Sequence, residues 1–115
     1  MFAAKWTPTA RRQYDALRDA ARSSYESRQK SGKAKSTQQE GLFKQVHKAI
    51  TLLLANPRQS GLETHEYHSL AHPFQCTGKV FEAYVQNKTS NAYRIFWCYG
   101  PDRRDITLIA ITPHP

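Results

Sequence analysis

Apolar residues recur at two different spacings along the chain, one typical of helices and one typical of strands. In the first half they return every three or four positions. The two sets are Tyr14, Leu17, Ala21 and Tyr25, followed by Phe43, Val46, Ile50, Leu53 and Leu54. This spacing gathers each set on one face of a helix. Two amphipathic helices are therefore predicted.

Capping residues locate the ends of these helices. Thr7 predicts the start of the first, since its hydroxyl can accept from a free N–H group, and Pro8 at the first helical position has no N–H to lose. Residues 37–40 (Thr-Gln-Gln-Glu) match the capping box at the start of the second helix. Asn-Pro at 56–57 ends it, because the residue before proline is pushed out of the α conformation. Residues 27–36 are predicted to form a flexible, basic connection between the two helices.

Strand-like segments precede and follow the helices. They cover residues 2–6, 62–70, 79–85, 91–99 and 105–111. The last three are joined by short turns and should pair antiparallel. The predicted fold is α+β in one domain spanning residues 1–115: an N-terminal strand, a two-helix antiparallel hairpin, then a three- to four-stranded antiparallel sheet with the helices on one face.

Charge favours a polyanionic partner. The chain has 17 Lys and Arg against 9 Asp and Glu, a net charge of +8. A basic domain of this size is typical of nucleic-acid-binding proteins. It has no apolar run of the roughly 20 residues that span a bilayer and no signal-peptide pattern, so a cytoplasmic protein without a membrane partner is expected. Cys76 and Cys98 form no Cys-x-x-Cys pair, and no disulfide is needed.

Strand alternation places candidate chemical groups together. Glu82 and Tyr84 share one face of their strand, and Arg94 shares a face of the next strand with Phe96 and Cys98. One face of the sheet must pack on the helices, and the other is expected to stay half open. An isolated buried charge is costly, so Arg94 is predicted either to pair with Glu82 or to hold a phosphate with its planar guanidinium.

His114 follows the last strand between two prolines. An imidazole exchanges protons near neutral pH. RNA cleavage by the 2′-hydroxyl needs a base, an acid and cations at the phosphate. Arg94, His114, Glu82 and Tyr84 are therefore the predicted catalytic residues; the alternative for His114 is a solvated tail residue.

Four further residues are predicted to contact RNA through charge or ring stacking. They are His68, Lys79, Tyr99 and Arg103. His65 and His68 also invite a metal-site interpretation, but their three-residue spacing in a strand or loop differs from the His-Glu-x-x-His helix of zinc hydrolases. No metal ion and no other cofactor is predicted.

Several of these segments resemble the RelE/ParE superfamily of toxins from bacterial toxin–antitoxin pairs. They are the Tyr-Arg-Ile-Phe-Trp strand at 93–97, the final strand ending in Thr-Pro-His at 112–114, and the Asn-Pro at 56–57 that closes the second helix. The resemblance implies a ribosome-dependent endoribonuclease that cuts mRNA without a metal, inhibits translation and is bound by a cognate antitoxin. Its partners would be the antitoxin, the ribosome and mRNA.

The resemblance also assigns roles by position. Arg94 matches the strand arginine that contacts the scissile phosphate, and His114 matches a residue near the cleavage site. Glu82 and Tyr84 stand where RelE-like members carry lysine or other polar residues. Glu66 or His68 is an alternative match for a carboxylate that some members use as a base.

Two other functions remain open on the sequence. ParE-like members of the superfamily lack the nuclease residues and poison DNA gyrase, and the long helical hairpin with a basic loop also occurs in that branch. A non-catalytic, basic RNA- or protein-binding module is the third possibility. The residues of the site decide among these functions, since one fold hosts several.

Overall fold

The computed structural model describes residues 1–33, 35–74, 78–86 and 91–113. The elements in order are β1 (Ala3–Trp6), α1 (Pro8–Ser31), α2 (Gln38–Ala55), a short 3₁₀ helix (Ser60–Leu62), β2 (His65–Glu66), β3 (Phe81–Tyr84), β4 (Tyr93–Tyr99) and β5 (Asp105–Pro113). The strands form one sheet in the order β1-β5-β4-β3-β2. The predicted α+β fold is confirmed: β2 to β5 pair antiparallel, and β1 joins the same sheet parallel to β5.

The predicted N-terminal caps are present at the first turn of both helices. Thr7 Oγ1 accepts from the backbone N–H of Ala10 at 3.1 Å, and it also donates to the carbonyl of Ile109 in β5 at 2.7 Å. At α2 the capping box is complete, with Glu40 N–H donating to Thr37 Oγ1 and Thr37 N–H donating to the Glu40 carboxylate. The second helix ends at Ala55, as the Asn-Pro sequence predicts.

The first helix is longer than the sequence predicts. Residues 27–31 were expected in the basic connection, and they instead form the last turn of α1. The Arg28 guanidinium donates two hydrogen bonds to the Glu40 carboxylate, at 3.0 and 2.8 Å, and so ties this turn to α2. The helix ends at Ser31 and is capped by Gly32, whose φ of +73° is a left-handed conformation that glycine adopts without steric cost.

The predicted strand at 62–70 is mostly wrong. Only His65 and Glu66 pair with β3, opposite Glu82 and Phe81. Leu62 ends the 3₁₀ helix and is 1% exposed, because it fills the core instead of lying in a strand. A weakly alternating segment does not favour one sheet register strongly enough to extend the pairing.

The hydrophobic core lies between the helices and one face of the sheet. Its fully buried side chains include Val46 and Leu53 of α2, and Ile95, Trp97 and Ile111 of β4 and β5. The β4–β5 ladder has an irregularity at Phe96 and Trp97, which pair with Ala110 and Leu108, so Ile109 is the additional residue. This bulge keeps core side chains on the helix face along both strands.

Candidate active site

Four polar or aromatic side chains meet on the face of the sheet that is turned away from the helices. Tyr84 pairs with Arg94 across β3 and β4, and His65 pairs with Glu82 across β2 and β3. Residues directly opposite each other in a ladder share a face. We call His65, Glu82, Tyr84 and Arg94 the polar cluster.

Arg94 is held from several directions. Its guanidinium carbon lies 3.8 Å from the centroid of the Tyr84 ring, a cation–π contact. Its Nη1 donates to the carbonyl oxygens of Gln86 at 2.7 Å and of Tyr93 at 3.1 Å. Its Nε lies 3.9 Å from Glu82 Oε2 and has no hydrogen-bond partner among the described residues. The predicted pairing with Glu82 is thus present as an ion pair at the outer limit of distance.

Glu82 has a closer partner in His65. The Nε2 atom of His65 lies 2.7 Å from Glu82 Oε1, and its Nδ1 lies 3.1 Å from the carbonyl oxygen of Glu63. A carbonyl oxygen only accepts, so Nδ1 donates its proton to the Glu63 carbonyl. The short contact between Nε2 and Glu82 Oε1 requires a second proton between these two atoms. The two groups form either an imidazolium–carboxylate pair or its neutral counterpart, with one proton shared between them.

Solvent reaches the polar cluster mainly through its histidine. The His65 side chain is 48% exposed, whereas those of Arg94 and Glu82 are 9% and 2% exposed. The expectation of a half-open face is therefore wrong at Arg94 and Glu82. One reason is that the chain after β2 covers part of the face, with the Tyr67 ring 4.7 Å from that of Phe96.

Cys98 lies on the same covered face and does not act as a nucleophile. It is fully buried and not bonded to another cysteine. Burial raises the pKa of its thiol to about 11, because the thiolate is poorly solvated there. The reactive form of a cysteine is the thiolate, so Cys98 stays inert at neutral pH.

The arrangement suits proton transfer beside an anion. A guanidinium stabilises negative charge on a phosphate, and an imidazole beside a carboxylate can exchange a proton with a hydroxyl. Both ring nitrogens of His65 already have partners, so proton exchange with a hydroxyl requires Nδ1 to leave the carbonyl oxygen of Glu63. Among the residues that the structure describes, no three His, Cys, Asp or Glu side chains gather as metal ligands.

The remaining predicted residues lie elsewhere or outside the described part of the chain. His114 is not among the described residues, which end at Pro113. The His68 side chain is 81% exposed, with its Nδ1 3.6 Å from Glu66. Lys79 and Arg103 are exposed, and Tyr99 is 40% exposed. Tyr99 lies five residues along β4 from Arg94, about 16 Å away at the usual rise of a strand.

The sequence predicts a catalytic role for three residues of the polar cluster and none for the fourth, His65. Its sequence context suggests a metal ligand, a phosphate-facing histidine or a merely exposed residue, and none of these places it beside Glu82. The signal that would have found it is its place in the short β2, since pairing with β3 puts it opposite Glu82.

Within the described ranges, every helix is too short or too polar to cross a bilayer.

Comparisons with known proteins give a match in structure. No family model matches the sequence, and no curated protein matches it. Among solved structures, the chain is similar to a YoeB/ParE toxin from Agrobacterium tumefaciens, with a TM-score of 0.59 and 9% sequence identity over 97% of this chain and 98% of that one. The two chains share a fold over almost their whole lengths. This protein therefore has the fold of the RelE/ParE toxins.

Proposed function

We propose that this protein is the toxin of a type II toxin–antitoxin pair and acts in the cytoplasm as a ribosome-dependent, metal-independent endoribonuclease that cleaves mRNA and inhibits translation. The observation that carries the proposal is the polar cluster. It brings a guanidinium, a buried carboxylate and a half-exposed imidazole together on a fold that toxins use.

The chemistry assigns each group a role. The 2′-hydroxyl oxygen attacks the adjacent phosphorus and loses its proton, and the 5′-oxygen of the next nucleotide leaves with a proton, which yields a 2′,3′-cyclic phosphate. Arg94 stabilises the negative charge on the phosphate, and the His65–Glu82 pair moves one proton. Tyr84 keeps the guanidinium in place by stacking. His114 supplies or takes the other proton.

Charge supports the proposed partners. A protein of net charge +8 attracts RNA and the ribosome, and it also suits an acidic antitoxin segment that folds onto it. His68, Lys79, Tyr99 and Arg103 are the proposed RNA contacts outside the polar cluster.

The test is primer extension on a defined mRNA with purified protein, with and without translating ribosomes. Cuts that depend on ribosomes support the proposal.

Arg94→Ala and His114→Ala should each lower the cleavage rate more than ten-fold, about 1.4 kcal/mol of transition-state stabilisation. Arg12→Ala, an exposed arginine on the helical side, is the matched control and should cut normally. A folded Arg94→Ala variant with the full rate rejects its role.

One observation favours a second candidate, the ParE-like inhibition of DNA gyrase. Arg94 is almost enclosed and already donates to two backbone carbonyls, as an arginine with a purely structural role would. The 24-residue α1, with exposed Arg22 and Lys30, gives the protein a long basic hairpin. Loss of supercoiling by purified gyrase, together with intact mRNA in the ribosome assay, would select this function. No effect in either assay would leave the third candidate, a basic binding module without catalysis.

A further inference from the structure

A cavity of about 390 Å³ adjoins the polar cluster at the β2 edge of the sheet. It lies between the chain after α2 and the neighbouring parts of β3 and β4. Its wall includes Arg58, Thr64, His65, Phe81, Trp97 and Tyr99. We call it the edge cavity. Its volume falls within the range of about 300–1,000 Å³ that is typical of small-ligand sites, and His65 belongs to both the cavity and the cluster.

Three aromatic rings form the apolar part of the wall. Phe81 and Trp97 are stacked, with centroids 4.8 Å apart and planes at 27°. Tyr99 meets both rings edge-on, at 5.9 and 4.9 Å. Aromatic side chains of this kind are the usual platforms for unpaired bases, because every base has a flat π-face.

Two buried polar atoms of the wall residues have no hydrogen-bond partner within the described part of the chain. They are Nε1 of Trp97, a residue only 1% exposed, and Oγ1 of Thr64. Buried polar groups are nearly always paired, so unpaired ones in residues that line a cavity are candidates for pairing with a ligand. An indole N–H only donates, so its partner must offer an acceptor such as a base carbonyl or ring nitrogen.

The rim adds positive charge. Arg58 is exposed and makes no ion pair among the described residues. A guanidinium beside an aromatic wall matches a flat, acceptor-bearing ring that is linked to a phosphate. Of the common polyanions, single-stranded nucleic acid has this combination.

We propose that the edge cavity binds one nucleobase of single-stranded RNA. The wall of Phe81 and Tyr99 contacts the base, Trp97 and Thr64 hydrogen-bond its edge, and Arg58 neutralises a neighbouring phosphate. The proposal rests on the proposed function in taking RNA as the ligand. It adds a base-recognition subsite on the helix side of the sheet edge, which shares His65 with the polar cluster on the other side.

The test follows the indole N–H resonances of the ¹⁵N-labelled full chain by NMR. The chain has two tryptophans, and Trp6→Phe assigns the signal of Trp97. The probes are the four nucleoside 5′-monophosphates, with ribose 5-phosphate as the base-free control. A saturable shift of the Trp97 signal with at least one nucleotide, and none with ribose 5-phosphate, is the expected result. A Trp97 signal unmoved at millimolar nucleotide, or moved equally by ribose 5-phosphate, overturns the proposal.

Exposed positions supply variants that spare the core. Tyr99→Ala should weaken nucleotide binding at least about five-fold through lost stacking, and Arg58→Ala should weaken it as well. The matched controls are Tyr25→Ala and Arg12→Ala, an exposed tyrosine and an exposed arginine on α1, which should bind normally. Unchanged binding by a folded Tyr99→Ala variant also overturns the proposal.

The binding test contains no ribosome, so its failure is distinct from that of the proposed function. Nucleotide binding without mRNA cleavage rejects the nuclease and keeps the edge cavity as a nucleotide site. Ribosome-dependent cleavage without nucleotide binding keeps the nuclease and rejects the edge cavity.

Discussion

Arg94 combines a charge with an almost closed environment. A buried guanidinium is tolerated only when charge, ring and carbonyl partners replace water. Glu82, Tyr84 and the carbonyls of Gln86 and Tyr93 provide these partners. The same contacts fix the plane of the guanidinium.

Replacing Arg94 by lysine separates shape from charge. Arg94→Lys keeps the positive charge and loses the planar fork and its stacking on Tyr84. We expect ribosome-dependent cleavage to fall more than ten-fold, or about 1.4 kcal/mol. Single-turnover primer extension measures the rate, and circular dichroism establishes that the variant is folded. Wild-type cleavage by this variant would mean that charge alone is sufficient.

The contact between His65 and Glu82 is testable through stability. His65→Ala removes the partner at 2.7 Å from a buried carboxylate and should lower the free energy of unfolding by about 1–3 kcal/mol. In a Glu82→Gln background the same change should cost less, because the carboxylate is gone. Urea unfolding of the four proteins gives the coupling. Equal costs in both backgrounds would show that the two residues are not coupled.

At this scale the sequence predicts the partners that lie in clearly alternating strands and misses the one that lies in a weakly alternating segment. Glu82 and Arg94 come from consecutive strands whose alternation is clear, so their shared face follows from local pattern. His65 meets Glu82 only because two residues of a weak segment pair with β3. The pattern of residues 62–70 does not fix that register, and the burial of Leu62 just before it depends on the folded core.

The helical hairpin depends on one carboxylate with two functions. Glu40 accepts from Thr37 N–H in the capping box and from the Arg28 guanidinium across the hairpin. The hydrogen bonds from Arg28, followed by that from Thr37, lower the pKa of Glu40 from 4.5 to about 2. The carboxylate therefore stays ionised well below the usual range of glutamate.

This lowered pKa predicts a loss of stability in acid. A group whose pKa is lower in the folded state stabilises the fold above its unfolded pKa, here 4.5, and the contribution disappears as the pH falls through about 2. The melting temperature should thus fall between about pH 5 and pH 2. The Glu40→Gln variant should lose part of this pH dependence and should be less stable than wild type at pH 7. Glu26→Gln, an exposed glutamate of α1, serves as the control. Identical pH profiles of Glu40→Gln and wild type would contradict this assignment.

Helix starts were predictable and one helix end was not. Caps and apolar spacing are local, so Thr7, the capping box and the Asn-Pro stop all follow from short segments. The last turn of α1 consists of polar residues with no apolar spacing to mark it as helix. It is tied to α2 by the ion pair between Arg28 and Glu40, which only the folded hairpin creates.

The charge of the whole molecule predicts strong salt dependence. RNA binding by a protein of net charge +8 releases condensed counterions, so the affinity for single-stranded RNA should fall at least about ten-fold between about 50 and about 200 mM salt. Fluorescence anisotropy of a labelled oligonucleotide measures this effect. An affinity insensitive to salt would mean that phosphate contacts contribute little to binding.

The order of the strands in the sheet was only partly predictable from the sequence. Hairpin turns and alternation predicted the antiparallel run from β3 to β5. The placement of β1 beside β5 was not predicted, because a parallel pair needs no turn and leaves no local signal. Buried β5 accepts a neighbour on each side, and β1 is the strand that fills the second side.

This placement of β1 also constrains the order of folding. Ala3 pairs with Asp105, and Trp6 pairs with Leu108, so the first strand has no place in the sheet until the last strand exists. The helical hairpin needs only contacts between nearby residues, whereas closing the sheet needs contacts of high sequence separation, which form more slowly. Arg94 itself pairs with Thr112 of β5. In a chain that lacks β5, the strand that holds Arg94 has lost one of its neighbours. The polar cluster is therefore complete only when β5 is in the sheet.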